Sequence, residues 1–352
     1  MKKFIFLLIL LINVNVLASN TSTIVMDVDS ERVLYESNAY EKRLIASTTK
    51  IMTFVVAYEY ARDFFDVYVE AGEEILKMYG TSIYISYKEQ MKLRDLLYGL
   101  MMRSGNDAAE VIAYFVGGDE EGFVKLMNKK AKSIGMNNTI FNNPHGLDEN
   151  TQNYSTAYDM ALLSSYASKI PFYNEVTSTK YYDVSTDTKA YSWTNRNKMV
   201  FTFPDYVSGK TGYTPGAGKC LVSSAIRDNL HLTIVSLNDD NHYDNHRILY
   251  DEMFKKYKYH LILSKDEFNS LHDNMYIKKD LSYPIRENEK DKIDTKLVIN
   301  NPNNEIIGEV VVTLNDKDII HENVYLLKKD VTSEKKENLF TIIKNFFINL
   351  FS

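Results

Sequence analysis

The chain has 352 residues, of which 45% are hydrophobic and 25% are charged, and its formal net charge is -6. This length allows one large domain or two smaller ones, and the composition excludes a chain that is disordered throughout. Because 47 acidic residues outnumber 41 basic ones, the composition gives no indication of a nucleic-acid partner.

The first residues have the order of a signal peptide. Lys2 and Lys3 precede the apolar run 4–12, and the small residue Ala18 ends the segment. The apolar run is too short to span a bilayer comfortably. We therefore expect cleavage after Ala18, which removes residues 1–18 from the fold, and export of the protein across the cytoplasmic membrane.

Hydrophobic periodicity predicts strands, then a block of helices, then strands again. Strands are expected in 24–36, 219–225 and 231–237. Helices are expected after residue 47 and at 91–103, 107–115, 121–134, 158–167 and 247–257. This order predicts an α/β (α+β) sandwich over residues 19–262, in which helices pack against an antiparallel sheet.

The pattern changes near residue 262. Short alternating segments at 296–299, 309–313 and 324–327 are separated by turn-rich stretches, which predicts a small all-β domain over residues 263–335. Residues 336–352 then place large apolar side chains at helical spacing, in a run too short to cross a bilayer. We interpret this segment as an amphipathic helix that attaches the protein peripherally to the membrane; the alternative is docking on the protein itself.

Three short motifs carry candidate chemistry, and the first is Ser47 with Lys50. Residues three apart on a helix share a face, so the lysine amine can reach the serine hydroxyl and act as its base if burial or a nearby cation keeps it neutral. The start of the helix also offers N–H groups to a developing oxyanion. Alone the pair is weak, because Ser47 also suits a helix N-cap and the same spacing recurs at Ser333 and Lys336.

The second motif is Ser104-Gly105-Asn106, where a turn between predicted helices places a hydroxyl beside an amide. The third is Lys210-Thr211-Gly212, where a glycine on a strand edge permits close approach of another backbone. Either could be a plain structural turn or hairpin edge. Together, and in this order, the three motifs match the general signature of β-lactamases and penicillin-binding proteins.

Through these motifs the sequence resembles the low-molecular-mass penicillin-binding proteins, which are serine-type D-alanyl-D-alanine carboxypeptidases with a β-lactamase/transpeptidase-like fold. The resemblance covers residues 24–330 and includes the segments 143–148 and 154–159. It implies that Ser47 forms the acyl-enzyme and that Lys50 is its base. It also implies that Ser104 and Asn106 assist proton transfer and orient the peptide.

The resemblance further implies a substrate-binding set. Its members are Lys210 and Thr211 for the terminal carboxylate, Gly212 beside them, the backbone N–H groups of Ser47 and Tyr213 as oxyanion hole, and Arg247 at a predicted helix start. The implied partners are peptidoglycan stem peptides and, as covalent inhibitors, β-lactam antibiotics. No cofactor or metal is expected, because the seven histidines show no zinc-ligand spacing.

Several alternatives stay open. His145 and the single cysteine, Cys220, could be catalytic, but we interpret both as structural residues. A β-lactamase would need a deacylating glutamate, and Glu149 lacks the surroundings of that motif. A D,D-endopeptidase could use the same site, and a non-catalytic muropeptide-binding module is disfavoured by the intact motif residues.

Overall fold

The computed structural model describes residues 21–272, 274–301 and 304–327. The predicted signal peptide and the predicted terminal amphipathic helix lie outside these residues. No helix in the described ranges is both long enough and apolar enough to cross a membrane.

The described strands, in chain order, are β1 (Ser22–Asp27), β2 (Val33–Ser37), β3 (Arg43–Leu44), β4 (Tyr68–Glu70), β5 (Gln90–Lys92), β6 (Tyr154–Ser155), β7 (Tyr181–Ser185), β8 (Ala190–Thr194), β9 (Tyr206–Thr214), β10 (Gly218–Arg227), β11 (Leu230–Leu237), β12 (Lys258–Leu263), β13 (Met275–Tyr276), β14 (Leu281–Ile285), β15 (Ile293–Ile299), β16 (Ile306–Leu314) and β17 (Lys317–Leu326).

The described α-helices are α1 (Lys50–Ala61), α2 (Leu93–Tyr98), α3 (Asn106–Gly117), α4 (Glu120–Ser133), α5 (Ala157–Ser168), α6 (Pro171–Ser178), α7 (Met199–Thr202), α8 (His242–Lys256) and α9 (Lys265–Leu271). A π-helical turn spans Gly99–Arg103. Short 3-10 helices occupy Ala46–Thr49, Arg62–Phe64, Glu73–Lys77 and Glu287–Lys292.

The described residues fall into two compact units. The first ends at Tyr259 and also includes Pro284–Glu287, and the second comprises His260–Tyr283 and the described residues from Asn288 onward. The predicted boundary at residue 262 lies three residues beyond Tyr259.

The first unit is built on an antiparallel sheet with the strand order β2-β1-β11-β10-β9. Successive side chains of β1 alternate between its two faces: Ile24 and Met26 enter the main core with the helices, whereas Val25 enters a second cluster with α8. Helices therefore pack against both faces of this sheet. This arrangement confirms the predicted sandwich.

Two elements of this unit meet at one end of the sheet. Helix α1 is buried almost all round, with Ile51, Met52 and Phe54 fully inaccessible, as expected for a helix inside the helical block. Strand β9 is the last strand of the sheet and pairs with β10 on one side. Its free edge passes the start of α1, which brings the first and third motifs together.

The second unit contains an antiparallel sheet with the order β13-β17-β16-β15. Asn315 and Asp316 join β16 to β17, and both have positive φ, at 51° and 62°, as the tight turn of a two-residue hairpin requires. Phe268 from α9 joins the core under this sheet, so the small domain predicted to be all-β over residues 263–335 also contains a helix.

Two predicted helices differ from the structure in detail. The segment predicted as one helix over 91–103 is divided among β5, α2 and the π-turn. The helix predicted from residue 247 begins at His242, so Arg247 lies in its second turn and the predicted position at a helix start was wrong.

Candidate active site

Ser47 lies in the 3-10 turn directly before α1. The preceding residue, Ala46, has a φ of +46°, and the Thr48 amide and hydroxyl both donate to the Ile45 carbonyl, which fixes this tight entry into the helix. The loop through Gly146 packs against it, because a Cβ on Gly146 would lie 2.0 Å from the Ala46 carbonyl oxygen. The backbone next to Ser47 is therefore closely packed, whereas Ser47 itself stays partly accessible to solvent.

Lys50 is fully buried beneath Ser47. Its Nζ lies 3.2 Å from Ser47 Oγ and 2.7 Å from Asn106 Oδ1, and it also donates to the His145 carbonyl. None of these three partners is a carboxylate. Burial first, and then the positive charge of Lys210, hold the pKa of Lys50 well below its usual value of 10.5.

A neutral lysine fits this set of contacts. A neutral amine has two N–H bonds and one lone pair, and the two carbonyl acceptors, on Asn106 and His145, use both N–H bonds. The lone pair is then left for the Ser47 hydroxyl at 3.2 Å. The geometry is that of a base ready to take the serine proton.

A hydrogen bond from Lys210, the lysine of the third motif, connects that motif to the second one. Lys210, in β9, donates from Nζ to Ser104 Oγ at 3.0 Å and to the Thr211 carbonyl at 2.7 Å. Ser104 ends the π-helical turn with a φ of +64°, so a residue other than glycine holds a left-handed conformation at the site. Burial, followed by the charge of Arg196, lowers the pKa of Lys210 to about 7.

Gly212 brings β9 against the nucleophile. A Cβ at this position would lie 3.0 Å from the Ser47 nitrogen and 3.1 Å from the Thr48 nitrogen, so a larger residue would push this backbone away by a few tenths of an ångström. The Tyr213 side chain is 65% exposed and turns away from this core. The backbone of β9 and the N–H of Ser47 thus border the same small space, as a two-donor oxyanion hole requires.

Arg196, rather than Arg247, is the arginine whose charge acts on Lys210. Arg247 is exposed and donates from Nη2 to the Thr202 carbonyl at 2.8 Å. Arg196 follows β8, outside all three motifs, and its backbone N–H donates to the Met102 carbonyl. Sequence analysis missed it because no motif marks it, and only the fold brings residues 102 and 196 together.

Glu110, Glu120 and His145 form a group beside Lys50 in which one donor atom from each lies within 4.8 Å of the others. Burial raises the pKa of Glu110 to about 8 and lowers that of His145 to about 3. The Leu147 N–H donates to His145 Nδ1 at 3.0 Å, so the neutral ring carries its proton on Nε2, which faces Glu110 Oε1 at 3.4 Å. The nitrogen that faces the acids is therefore a donor and not a metal ligand.

Cys220 is fully buried in β10 opposite Gly212. Burial raises the pKa of its thiol to about 11, which keeps it protonated and unreactive. The interpretation of this cysteine as a structural strand residue agrees with its position.

Comparisons with known proteins agree with this geometry. A family model described as D-alanyl-D-alanine carboxypeptidase, peptidase family S11, matches residues 14–241. The D-alanyl-D-alanine carboxypeptidase DacF of Bacillus subtilis is 37% identical over 219 residues, covering 61% of this chain and 56% of that protein. A D-alanyl-D-alanine endopeptidase of Escherichia coli is 30% identical over 221 residues, covering 62% of this chain and 70% of that protein.

The fold is also similar to solved structures. Penicillin binding protein 5 from Haemophilus influenzae superposes with a TM-score of 0.72 at 25% identity, covering 87% of this chain and 96% of that chain. The matched region of the chain spans about half the length of the curated carboxypeptidases that it resembles.

Proposed function

The chain belongs to the D-alanyl-D-alanine carboxypeptidase family, and from that premise we propose that it removes the terminal D-Ala from peptidoglycan stem peptides through an acyl-enzyme on Ser47. The observation that carries this proposal is the contact of 3.2 Å between Lys50 Nζ and Ser47 Oγ, in a setting that keeps the amine neutral.

In the first half-reaction, Lys50 takes the Ser47 proton and Oγ attacks the carbonyl of the penultimate D-Ala. The oxyanion that forms is held by the N–H groups of Ser47 and Tyr213, which are aimed at charge that develops only in the transition state. The C–N bond then breaks, and the amine of the terminal D-Ala receives a proton that Lys50 returns, with Ser104 beside its path. The free D-Ala leaves, and the acyl group stays on Ser47.

In the second half-reaction, water replaces the D-Ala amine. Lys50 takes a proton from the water, the hydroxide attacks the acyl-enzyme ester, and Ser47 Oγ regains its proton as the shortened peptide is released. A β-lactam acylates Ser47 by the same first step. Its leaving amine stays tethered in the opened ring and occupies the place that water needs, so the acyl-enzyme persists.

Positive charge around Lys210 supports recognition of the terminal carboxylate. Lys210 and Thr211 lie on β9, and Arg196 adds a further cation near them. A free carboxylate at the end of the substrate is what such a group recognises. Arg247 stays a prediction for this role, since its contact in the structure is with Thr202.

The test uses purified protein and a pentapeptide that ends in D-Ala-D-Ala. We expect release of one equivalent of D-Ala per peptide, and a mass increase of the Ser47 peptide after treatment with penicillin. Ser47→Ala should lose both, and Ser333→Ala, which removes the serine of the recurring spacing, should lose neither. Penicillin labelling without D-Ala release would refute the carboxypeptidase, and cleavage of a crosslinked muropeptide in the same assay would indicate an endopeptidase instead.

We also propose that the protein works outside the cytoplasmic membrane and is held at its surface by residues 336–352. The charged and apolar order of the first 18 residues and the apolar spacing of the last segment support this location. Deletion of 338–352 is expected to move the protein from the membrane fraction to the soluble fraction. A deleted protein that stays with the membrane would contradict the proposed attachment.

A further inference from the structure

Hydrogen bonds join the chain segments that carry two arginines, Arg103 and Arg196. The Arg196 backbone N–H donates to the Met102 carbonyl at 3.1 Å, and Arg103 Nη1 donates to the Thr194 carbonyl at 3.0 Å. These two hydrogen bonds tie residues 102–103, at the end of the π-helical turn, to residues 194–196, at the end of β8. Arg103 immediately precedes Ser104, so this cross-connection fixes a guanidinium next to the second motif.

Both guanidinium groups lack an acidic counterpart. Among the residues that the structure describes, no carboxylate lies within ion-pair distance of Arg103 or Arg196, and their side chains bond instead to the Thr194 carbonyl and, at 3.4 Å, to Thr81 Oγ1. Partial burial, followed by the charge of Arg196, lowers the pKa of Arg103. Like charges held together without a counterion repel each other, and a bound anion relieves that repulsion.

The terminal carboxylate of the substrate already has a partner in Lys210 and Thr211. The guanidinium of Arg103 therefore has capacity for another anion, and guanidinium groups bind carboxylates through two parallel hydrogen bonds. We infer that Arg103 recognises a second carboxylate on the stem peptide, so that the enzyme prefers peptides with a free side-chain acid over amidated ones. This inference rests on the proposed function and makes Arg103 a specificity residue.

The preference is measured with two pentapeptides that end in D-Ala-D-Ala and differ only in one side-chain carboxyl, free in the first and amidated in the second. A charge-assisted hydrogen bond to a carboxylate predicts a kcat/KM for the free acid about tenfold higher than for the amide. Arg103→Gln should bring this ratio to about one. The exposed arginine at the end of α1 gives the matched control, Arg62→Gln, which should keep the ratio of the wild type.

Salt gives a second readout that a structural role for Arg103 would not affect. The wild-type ratio should fall as ionic strength rises, because the attraction is between charges near the surface, and the ratio of Arg103→Gln should be independent of salt. Equal use of both peptides by the wild type, or an unchanged ratio in Arg103→Gln, would overturn the inference.

Failure of the proposed function gives a different result. If neither peptide releases D-Ala although penicillin labels Ser47, the proposed carboxypeptidase activity is refuted. The preference is then measured from the concentration at which each peptide slows penicillin labelling. Stronger protection by the free acid, lost in Arg103→Gln, would still support the second carboxylate site, and equal protection by both peptides would refute it.

Discussion

Nζ of Lys50 lies 2.7 Å from Oδ1 of Asn106 in the interior of the first unit. The amide oxygen holds the amine in place without adding a negative charge beside it. A carboxylate at this position would hold the amine equally well, but it would favour the charged ammonium form, which has no lone pair for the Ser47 proton. An amide at residue 106 therefore leaves the lowering of the Lys50 pKa by burial and by Lys210 unopposed at this contact.

Asn106→Asp is expected to move the acid limb of Ser47 acylation to higher pH. An adjacent carboxylate raises the pKa of a lysine by about 1–3 units, so neutral Lys50 would appear only at a higher pH. The measurement is the acylation rate with fluorescent penicillin as a function of pH. Asn106→Ala is the control, since it removes the contact without adding charge and should slow acylation with no shift of this limb to higher pH. An Asn106→Asp enzyme with the wild-type acid limb would contradict the assignment of Lys50 as base.

Lys210 predicts the opposite limb of the pH profile. Its pKa is lowered to about 7, so the positive charge that binds the substrate carboxylate is present below that pH and is lost above it. We expect kcat/KM for a D-Ala-D-Ala peptide to fall as pH rises through about 7. Lys210→Arg keeps its charge over this range and should lose that fall, even if its absolute rate is lower. A fall near pH 7 that persists in the arginine variant must come from another group.

The catalytic motifs and the sandwich could be predicted because they depend on local order. Ser47 and Lys50 are three residues apart, and the strand and helix periods are visible in single segments. The site residues that sequence analysis missed or misplaced are the long-range ones. The charge of Arg196 acts on Lys210, and Arg196 N–H donates to the Met102 carbonyl; no spacing along the chain encodes either relationship.

The backbone conformation of Ser104 could not be predicted from the sequence either. Ser104 was expected in a turn, but its φ of +64° at the end of a π-helical turn is rare for a residue other than glycine. In this conformation its hydroxyl accepts a hydrogen bond from Lys210 Nζ. Such exceptions occur at functional sites, where local preference gives way to the geometry of the chemistry.

The two arginines 196 and 247 can be separated by one paired experiment. Arg196→Gln removes the like charge beside Lys210, so the pKa of Lys210 should rise and the alkaline limb of kcat/KM should move above about 7. The KM for the peptide should rise as well. Arg247→Gln removes the hydrogen bond to the Thr202 carbonyl at the surface and should leave the alkaline limb in place. A shift caused by Arg247→Gln, with none from Arg196→Gln, would restore the prediction made from the sequence.

Substitutions at Gly146 and Gly118 measure how much the packing of the loop through Gly146 against Ala46 contributes to stability and to the position of Ser47. Both have positive φ, at 88° and 82°, but a Cβ at Gly146 would lie 2.0 Å from the Ala46 carbonyl oxygen, whereas a Cβ at Gly118 meets nothing within 4 Å. Gly118→Ala should therefore cost only the left-handed conformation, about 1–2 kcal/mol of unfolding free energy. Gly146→Ala should cost about 1–3 kcal/mol more, because the backbone must shift to make room.

The shift caused by Gly146→Ala falls on the residue before Ser47, so acylation should slow as well as stability fall. Urea denaturation measures the stability of both variants, and penicillin labelling at a temperature where both stay folded measures the site. Gly118→Ala should acylate like the wild type, because its position at the end of α3 bears on no residue of the site. Equal losses of stability in the two variants, with equal labelling rates, would mean that the loop through Gly146 does not hold the nucleophile in place.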